Sequence, residues 1–289
     1  MRSITVLPME VEDYIRKLID RKKREEDLET SFPNPLLRED VLDLLDRFCT
    51  VVYFPLEGER NNGFHRTGIP LADGTYVDFV YINTAQTMEK QVFTAAHELG
   101  HIWKVDDAVI GALGLVDTPE TRELIVNRFA AVLLMPREIF RRSFLSNLKD
   151  FRNQDGKVTV LNALRLVVLL MDQFFVPMKS VVLRMAELGH LNERDADYLL
   201  GHGDLPENDI ETIIGKLITE YGFIKFQKPS GKKWVEGLGD LLERVERDHL
   251  LPQEKIKHMR DTFGLPAPGP MAGEWEELVE LSAQGGLDS

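Results

Sequence analysis

Apolar residues recur along this chain with two different spacings. Up to residue 48 the spacing is helical: Val11, Ile15 and Leu18 form one stripe, which predicts a helix over residues 9–30. A Phe-Pro-Asn-Pro break then separates this helix from a shorter one, predicted over residues 41–48. The chain therefore opens with helices.

Between residues 50 and 82 the spacing becomes that of β-strands. β-Branched and aromatic residues are concentrated at residues 50–54 and 75–82, and a third strand is predicted around residues 64–69. A small antiparallel sheet is the natural assembly for these segments. The edge of such a sheet can accept an extended peptide by strand addition, although each strand could equally serve only to support the next helix.

Helical spacing returns after residue 87 and predicts most of the remaining elements of the chain. Thr118-Pro119-Glu120 is a good helix start, because it combines a capping oxygen with proline in the first turn. Residues 106–117 are predicted as a loop or a short helix. The predicted helices cover residues 92–103, 118–135, 139–148, 158–175, 179–189, 192–200, 210–221, 238–250, 252–263 and 274–283.

These elements predict three regions. Residues 1–150 form a core that contains the sheet and the N-terminal helices, and residues 151–203 form a helical region. In that region two short helices around Gly189 resemble a helix-turn-helix, but the small number of basic residues favours a plain helical bundle. Residues 204–289 form a mostly helical module with a possible β-hairpin over residues 223–235.

Composition and charge narrow the class of protein. Of the 289 residues 43% are hydrophobic, enough for a sizeable core, and no apolar run approaches the length of a membrane span. The N-terminus does not resemble a signal peptide, and the single cysteine, Cys49, favours a reducing compartment. We therefore predict a cytoplasmic protein that does not engage a membrane. The net charge of −13 argues against direct nucleic-acid binding without excluding a local basic patch.

The strongest chemical signal is the HELGH sequence at residues 97–101. Residues four apart lie on one face of a helix, so His97 and His101 can direct two imidazoles at one metal ion. Neutral imidazole binds Zn²⁺ well, and Glu98 lies beside the histidines, where it can act as the base for the water that zinc acidifies. A pattern with three fixed positions also arises by chance, but here it lies within an apolar helical stripe.

Two histidines make an incomplete zinc site, since a catalytic site typically takes a third protein ligand. Glu123, on the next confident helix, is the leading candidate, and Glu120 on the same helix is the alternative. Asp106 and Asp107 follow His101 so closely that the chain would have to reverse sharply. Asn127 favours Glu123.

Asn127 lies one helical turn after Glu123 on the same face. A metal-bound histidine usually donates its other ring N–H to an oxygen acceptor, and the side-chain carbonyl of Asn127 can supply that acceptor. A glutamate ligand followed four residues later by such an acceptor is similar to the arrangement in gluzincin metallopeptidases.

Two blocks of sequence give the chain a specific resemblance. AAHELGHIW at residues 95–103, followed by NRFAAVLLMP at residues 127–136, resembles the ImmA/IrrE family of bacterial and phage metallopeptidases. The resemblance covers residues of about 9–190 and does not reach the region beyond 205. The chain departs from the family pattern at Ile125 and Val126, where many members carry an acidic residue and alanine.

The resemblance implies both a fold and a site. It implies an α+β protein with a compact zincin-like core, in which a small antiparallel sheet packs with the HExxH helix and the glutamate-ligand helix, followed by a mainly helical C-terminal region. The family's metal ligands correspond to His97, His101 and Glu123, and its catalytic glutamate to Glu98. An aromatic residue often found at the position of Leu183 is missing.

The resemblance also implies a function: zinc-dependent cleavage of a specific protein, typically a helix-turn-helix repressor, that regulates gene expression. The alternative is a regulator without catalysis, whose zincin core binds a protein partner or DNA. A purely structural zinc site is the weakest hypothesis, because such sites use four protein ligands and favour cysteine. Four side chains are candidates, by residue type alone, for stabilising the oxyanion: His65, Tyr76, Tyr81 and Arg184.

Overall fold

The computed structural model describes residues 7–58, 61–70, 74–202 and 207–266. The chain divides into two compact units, Met1–Lys232 and Lys233–Ser289. The predicted boundaries after residues 150 and 203 both fall within the first unit, and that three-part division stays a prediction. The helix predicted over residues 274–283 lies outside the described residues.

Helices dominate the described residues. Along the sequence, the strands of a small sheet follow the first three helices and precede the others of the first unit. The helices of the first unit are α1 (Met9–Glu25), α2 (Leu28–Ser31), α3 (Asp40–Asp46), α4 (Met88–Ile102), α5 (Val105–Leu113), α6 (Pro119–Leu134), α7 (Arg137–Phe151), α8 (Val160–Phe174), α9 (Met178–Glu187), α10 (Glu193–Leu199), α11 (Glu207–Tyr221) and α12 (Ile224–Gln227). Its strands are β1 (Thr50–Phe54), β2 (Gly63–Pro70) and β3 (Tyr76–Asn83). The second unit contains β4 (Trp234–Val235), α13 (Leu238–Arg247) and α14 (Gln253–Phe263). The predicted α+β class is confirmed.

The sheet of the first unit is mixed, so the prediction of an antiparallel sheet was wrong for one of its strands. Strand β3 is central: β2 pairs with it antiparallel, whereas β1 pairs with it in parallel, with Thr50 opposite Phe79. The link after β1 carries the chain across to the far side of β3 before β2 begins. The side chain of Asn83 secures the start of this link by hydrogen bonds with the backbone N–H and carbonyl of Leu56, at 3.0 and 3.1 Å.

Helix α4 packs on the sheet and is covered on its other side by α3, α5 and α6. Its apolar face is fully buried at Val92, Ala95, Ala96 and Leu99. These residues recur at three- and four-residue intervals, as the sequence predicted for one face of a helix. The HELGH sequence is therefore carried by a helix in the middle of the core.

The segment between α4 and α6 contains a short helix, one of the two alternatives predicted for it. Lys104 adopts a left-handed backbone conformation with φ 53°, and the nine-residue helix α5 begins at the next residue. The chain thus makes the sharp reversal that the sequence analysis treated as an obstacle for Asp106. As a result, the first turn of α5 lies close to the C-terminal end of α4.

The predicted β-hairpin over residues 223–235 was wrong. Residues Ile224–Gln227 are helical, and the segment that follows pairs with the chain just before α4 instead of with itself. Pro229 forms an isolated antiparallel bridge with Thr87, and the N–H of Gly231 donates to the carbonyl of Thr84 at 3.0 Å. Tertiary pairing has replaced the local turn that the sequence favoured.

Helices α9 and α10 form the predicted pair around Gly189, which has φ 72° and lies just beyond the end of α9. Among the described helices, none is on its own long and apolar enough to cross a membrane. Helices α8 and α9 would reach that length only as a pair, and they are bent by 103° at their junction.

Candidate metal centre

The two histidines of α4 face the helix that follows them in the core, α6. That helix begins as predicted, with Thr118 accepting a hydrogen bond from the N–H of Thr121 at 3.1 Å and Pro119 in the first turn. Because the start of α6 is fixed in this way, Glu123 and Asn127 occupy successive turns of one face.

A glycine allows α4 and α6 to approach each other closely. A Cβ atom on Gly100 would lie 2.9 Å from the ring of Phe129 and 3.4 Å from the side chain of Val126. A side chain at position 100 would therefore require the ring of Phe129, or α6 with it, to shift. This close contact places Glu123 opposite the two histidines.

Three side chains converge between the two helices. The Nε2 atom of His97 lies 3.4 Å from Oε2 of Glu123, and the Nε2 atom of His101 lies 3.7 Å from Oε1 of the same carboxylate. One ligand atom from each of the three residues can be chosen so that all lie within 4.8 Å of one another. The structure thus brings together the three ligands predicted from the sequence, and their role as ligands stays a prediction.

The spacing of these atoms suits a tetrahedral divalent ion such as zinc. Two ligands at about 2.0–2.2 Å from a tetrahedral zinc ion lie about 3.3 Å from each other. The distances of 3.4 and 3.7 Å are close to that value and too long for strong hydrogen bonds. Two imidazoles and one carboxylate are also the donor set found in zinc peptidases with one glutamate ligand.

The second nitrogen of each histidine ring points towards an oxygen acceptor. Nδ1 of His97 lies 3.1 Å from Oδ1 of Asn127, the contact predicted from the sequence. Nδ1 of His101 lies 3.9 Å from Oδ2 of Asp106, and that carboxylate is buried. Both rings therefore present Nε2 to Glu123 and Nδ1 to an oxygen, which is the usual orientation of metal-binding histidines.

Asp106 is held in place by Arg122, the residue before Glu123. The Arg122 guanidinium contacts the carboxylates of Asp106, Asp107 and Asp117 at 2.7–2.8 Å. Asp106 lies on the Nδ1 side of His101, whereas Glu123 lies on the Nε2 side. Asp106 is thus placed to orient a ligand, and the alternative in which it binds the metal itself is not favoured by this geometry.

Glu98 is buried beside the three converging side chains, with only 6% of its side chain exposed. Its Oε2 atom lies 2.8 Å from Nδ1 of His65, which comes from the edge strand β2. The ring of His65 also stacks on His101, with centroids 4.3 Å apart and planes 28° from parallel. His65, Glu98 and His101 therefore form a second group of possible metal ligands that shares His101 with the first.

The distances between their ligand atoms distinguish the two groups of possible ligands. The 2.8 Å between His65 and Glu98 is a hydrogen-bond length and is shorter than the separation of about 3.3 Å between two ligands of one zinc ion. The first group has the longer separations that an ion requires. We therefore favour His97, His101 and Glu123 as the ligands, an assignment that leaves Glu98 available to act as a base.

The protonation of two histidines is shifted in opposite directions. Burial lowers the pKa of His101, and the neighbouring His97 and His65 lower it further, which favours the neutral form that a metal ligand needs. The hydrogen bond to Glu98 raises the pKa of His65 despite partial burial.

The remaining sequence candidates occupy other surroundings. The hydroxyl of Tyr81 donates to the carbonyl of Phe54 at 2.9 Å, and Tyr76 is exposed at the start of β3. Arg184 is fully buried and bonded to Glu12, so it has a structural role. Within the described ranges, neither group of possible ligands includes Glu120 or Asp107.

Two features of this site were not predicted from the sequence. One is the contact of Arg122 with three aspartates, and the other is the contact of His65 with Glu98. The position of Arg122 beside Glu123 could have pointed to the first, since a guanidinium has five N–H donors that can bind nearby aspartates. The second depends on how β2 packs against α4, for which the sequence carries no local signal.

Comparison with known proteins shows what the segment around this site is similar to. Residues 48–186 match the family model Peptidase_M78, described as the IrrE N-terminal-like domain. Among solved structures, a Mycobacterium tuberculosis transcriptional regulator is similar, with 18% identity over 65% of this chain and 54% of that chain, and a TM-score of 0.40. This chain thus spans about half the length of that regulator. None of the curated proteins matches it significantly.

The matched segment begins just before β1 and ends within α9, so it contains the sheet, both ligand helices and His65. The family resemblance drawn from AAHELGHIW and NRFAAVLLMP is thereby confirmed. Residues 48–186 are thus similar to the IrrE N-terminal-like domain of the Peptidase_M78 family.

Proposed function

We propose that this protein is a zinc-dependent endopeptidase that cleaves a specific protein, a helix-turn-helix transcriptional repressor, and so regulates gene expression. The observation that carries the proposal is the convergence of His97, His101 and Glu123 at 3.4–3.7 Å beside the buried carboxylate of Glu98. The family supports a metallopeptidase, and the choice of a repressor as substrate rests on the ImmA/IrrE resemblance. The single cysteine is consistent with action in the cytoplasm.

His97, His101 and Glu123 would hold zinc. When bound, zinc would polarise the scissile carbonyl and lower the pKa of a water molecule towards neutrality. Glu98 is the residue that takes the proton from the attacking water. The protonated carboxyl of Glu98 then gives that proton to the nitrogen of the leaving amine, so Glu98 ends the reaction as a carboxylate again. The low exposure of Glu98 limits competition from bulk water.

The sheet offers a place for the substrate backbone. Strand β2 lies at one end of the strand order, so one side of it is a sheet edge. An extended peptide that pairs with this edge would gain backbone hydrogen bonds and would pass His65, which contacts Glu98. This arrangement would bring a substrate carbonyl close to the base. The rest of the specificity would come from side-chain contacts of the substrate.

The substitution Glu98→Gln tests the proposal, because it removes the base and keeps the size of the side chain. Bound zinc is measured in the wild type and the variant, and each is incubated with a repressor encoded beside the gene. We expect equal zinc content and a loss of cleavage of roughly 10²–10⁴-fold in the variant. Equal biological output of both proteins, with zinc bound and no repressor cleaved, would instead favour a regulator that acts only by binding.

A further inference from the structure

Strand β2 lies unusually close to the motif helix at Gly63. A Cβ atom added there would lie 2.6 Å from the side chain of Thr94 and 2.6 Å from the carbonyl oxygen of Tyr81. No other residue type fits without movement of the strand or of α4. Gly63 is therefore where β2 is brought against the helix.

The repeat of the strand and the repeat of the helix relate this contact to the position of Glu98. Residues two apart in a strand share one face, so His65 points to the same side of the sheet as Gly63. Residues four apart in a helix also share one face, so Glu98 lies one turn beyond Thr94. The contact between Gly63 and Thr94 thus places His65 opposite Glu98, where their side chains meet at 2.8 Å.

The hydrogen bond also defines the roles of the two ring nitrogens. An ionised carboxylate only accepts hydrogen bonds. Nδ1 of His65 therefore carries a hydrogen atom and donates the hydrogen bond to Oε2 of Glu98. In the described residues this is the hydrogen bond that the structure gives to the Glu98 carboxylate. The face of the same ring stacks on His101, one of the three favoured ligands.

We propose that His65 is a positioning residue of the site: its Nδ1–H fixes the carboxylate of Glu98. The inference rests on the proposed peptidase function for its catalytic consequence. A buried carboxylate with a single fixed partner has fewer accessible orientations, and a base must be correctly oriented to receive a proton. His65 would therefore act through Glu98 and not on the substrate.

Three substitutions separate this role from others. His65→Asn keeps an amide donor close to the position of Nδ1, His65→Gln moves that donor to the position of Nε2, and His65→Ala removes both. We expect His65→Ala and His65→Gln to lower kcat roughly 10–100-fold with KM unchanged, and His65→Asn to restore most of kcat. The substrate is the repressor cleaved in the zinc assay.

A second readout does not depend on cleavage. Each protein is loaded with Co²⁺ in place of zinc, and its visible absorption is followed between about pH 5 and 9. The pH midpoint of the absorption change in Glu98→Gln shows how much Glu98 contributes to the midpoint of the wild type. We expect His65→Ala and His65→Gln to move that midpoint from the wild-type value, His65→Asn to leave it in place, and all variants to bind one equivalent of Co²⁺.

Several results would overturn the proposal. Wild-type spectra in all three variants would show that His65 does not position Glu98, and activity retained by His65→Gln but not by His65→Asn would show action through Nε2. Loss of Co²⁺ from His65→Ala would make His65 a metal ligand. If the wild type cleaves no repressor, the peptidase proposal fails, while the Co²⁺ spectra still decide the role of His65.

Discussion

Helix α6 contributes one side chain, Glu123 or Arg128, to each of two clusters of charged and ionisable side chains that lie on different faces of the helix. The open cluster consists of His97, His101 and Glu123, and its glutamate side chain is 58% exposed. The closed cluster consists of Glu12, Arg128, Arg184 and Glu187, whose side chains are at most 13% exposed. Asn127 serves the open cluster and Arg128 the closed one, because successive helix residues point about 100° apart.

The closed cluster satisfies its own charges. The guanidinium of Arg184 donates to both carboxylate oxygens of Glu12 at 3.0 Å and to the carbonyl of Met135 at 3.2 Å. Glu187 accepts from Arg184 at 3.2 Å and pairs with Arg128 at 2.8 Å. Two positive and two negative side chains therefore balance one another without any added ion.

The open cluster has no such balance. Two rings direct their Nε2 atoms at one carboxylate across distances that suit a cation between them better than direct hydrogen bonds. Buried charge alone therefore does not mark a functional site. Charged groups that pair with one another hold the fold together, whereas imidazoles and a carboxylate at the separations of metal ligands indicate what the protein binds.

The largest effect should come from breaking the closed cluster. Arg184→Ala leaves the buried carboxylate of Glu12 without its main partner, and we expect the free energy of unfolding to fall by about 3–5 kcal/mol. Urea denaturation followed by circular dichroism measures this loss. Adding Glu12→Gln to Arg184→Ala should be less destabilising than the sum of the single substitutions, because they share one interaction.

A loss within about 0.5 kcal/mol would contradict this view, since substitutions at the surface typically have effects of that size. It would mean that water stabilises the charged groups as well as their partners in the closed cluster do. The structural role assigned to Arg184 would then fail, and its original place among the candidates for oxyanion stabilisation would reopen.

The next effect concerns the open cluster and should appear in metal binding instead of stability. We expect Glu123→Ala to weaken zinc binding about 100-fold, equivalent to about 2.7 kcal/mol. Without metal, the free energy of unfolding of the variant should lie within about 0.5 kcal/mol of that of the wild type, because the side chain of Glu123 is more than half exposed. Zinc competition with a chelating dye measures the first quantity and urea denaturation the second.

Glu120→Ala is the matched control, as it removes a glutamate from the preceding turn of the same helix. It should bind zinc like the wild type. The reverse pattern, with zinc lost from Glu120→Ala and kept by Glu123→Ala, would overturn the assignment of the third ligand. It would also remove the contrast between the two faces of α6, since the open cluster would no longer contain Glu123.

The parts of the site that the sequence predicted are those that depend on short spacings. His97 and His101 are four residues apart, as are Glu123 and Asn127, and a helix places each pair on one face whatever surrounds it. Thr118 and Pro119 likewise mark a helix start through local hydrogen bonding. Such signals act within one or two turns, so they survive without knowledge of the tertiary structure.

The rest depended on contacts between distant segments. His65 and Glu98 are 33 residues apart, and Glu12 and Arg184 are 172 residues apart, so no local spacing relates them. The parallel pairing of β1 with β3 and the pairing of Pro229 with Thr87 were missed for the same reason. In each case packing selected a partner that local propensity could not identify.

The smallest effect distinguishes the clusters by pH. Burial alone would raise the pKa of Glu12, but Arg184 and Arg128 outweigh it and hold the pKa below the usual value of 4.5. A carboxylate with a lowered pKa in the folded state adds stability above its unfolded pKa, and that stability is lost as the pH falls through the folded pKa. Acid should therefore weaken the closed cluster.

The measurement compares the wild type with Glu12→Gln, which mimics the protonated side chain at every pH. At neutral pH the wild type should be more stable, and the difference in free energy of unfolding should narrow as the pH falls below about 4.5. Glu29→Gln, at an exposed position, should show no comparable narrowing. A difference that stays constant down to low pH would mean that Glu12 owes its place to packing and not to its charge, and the closed cluster would then differ from the open one in burial alone.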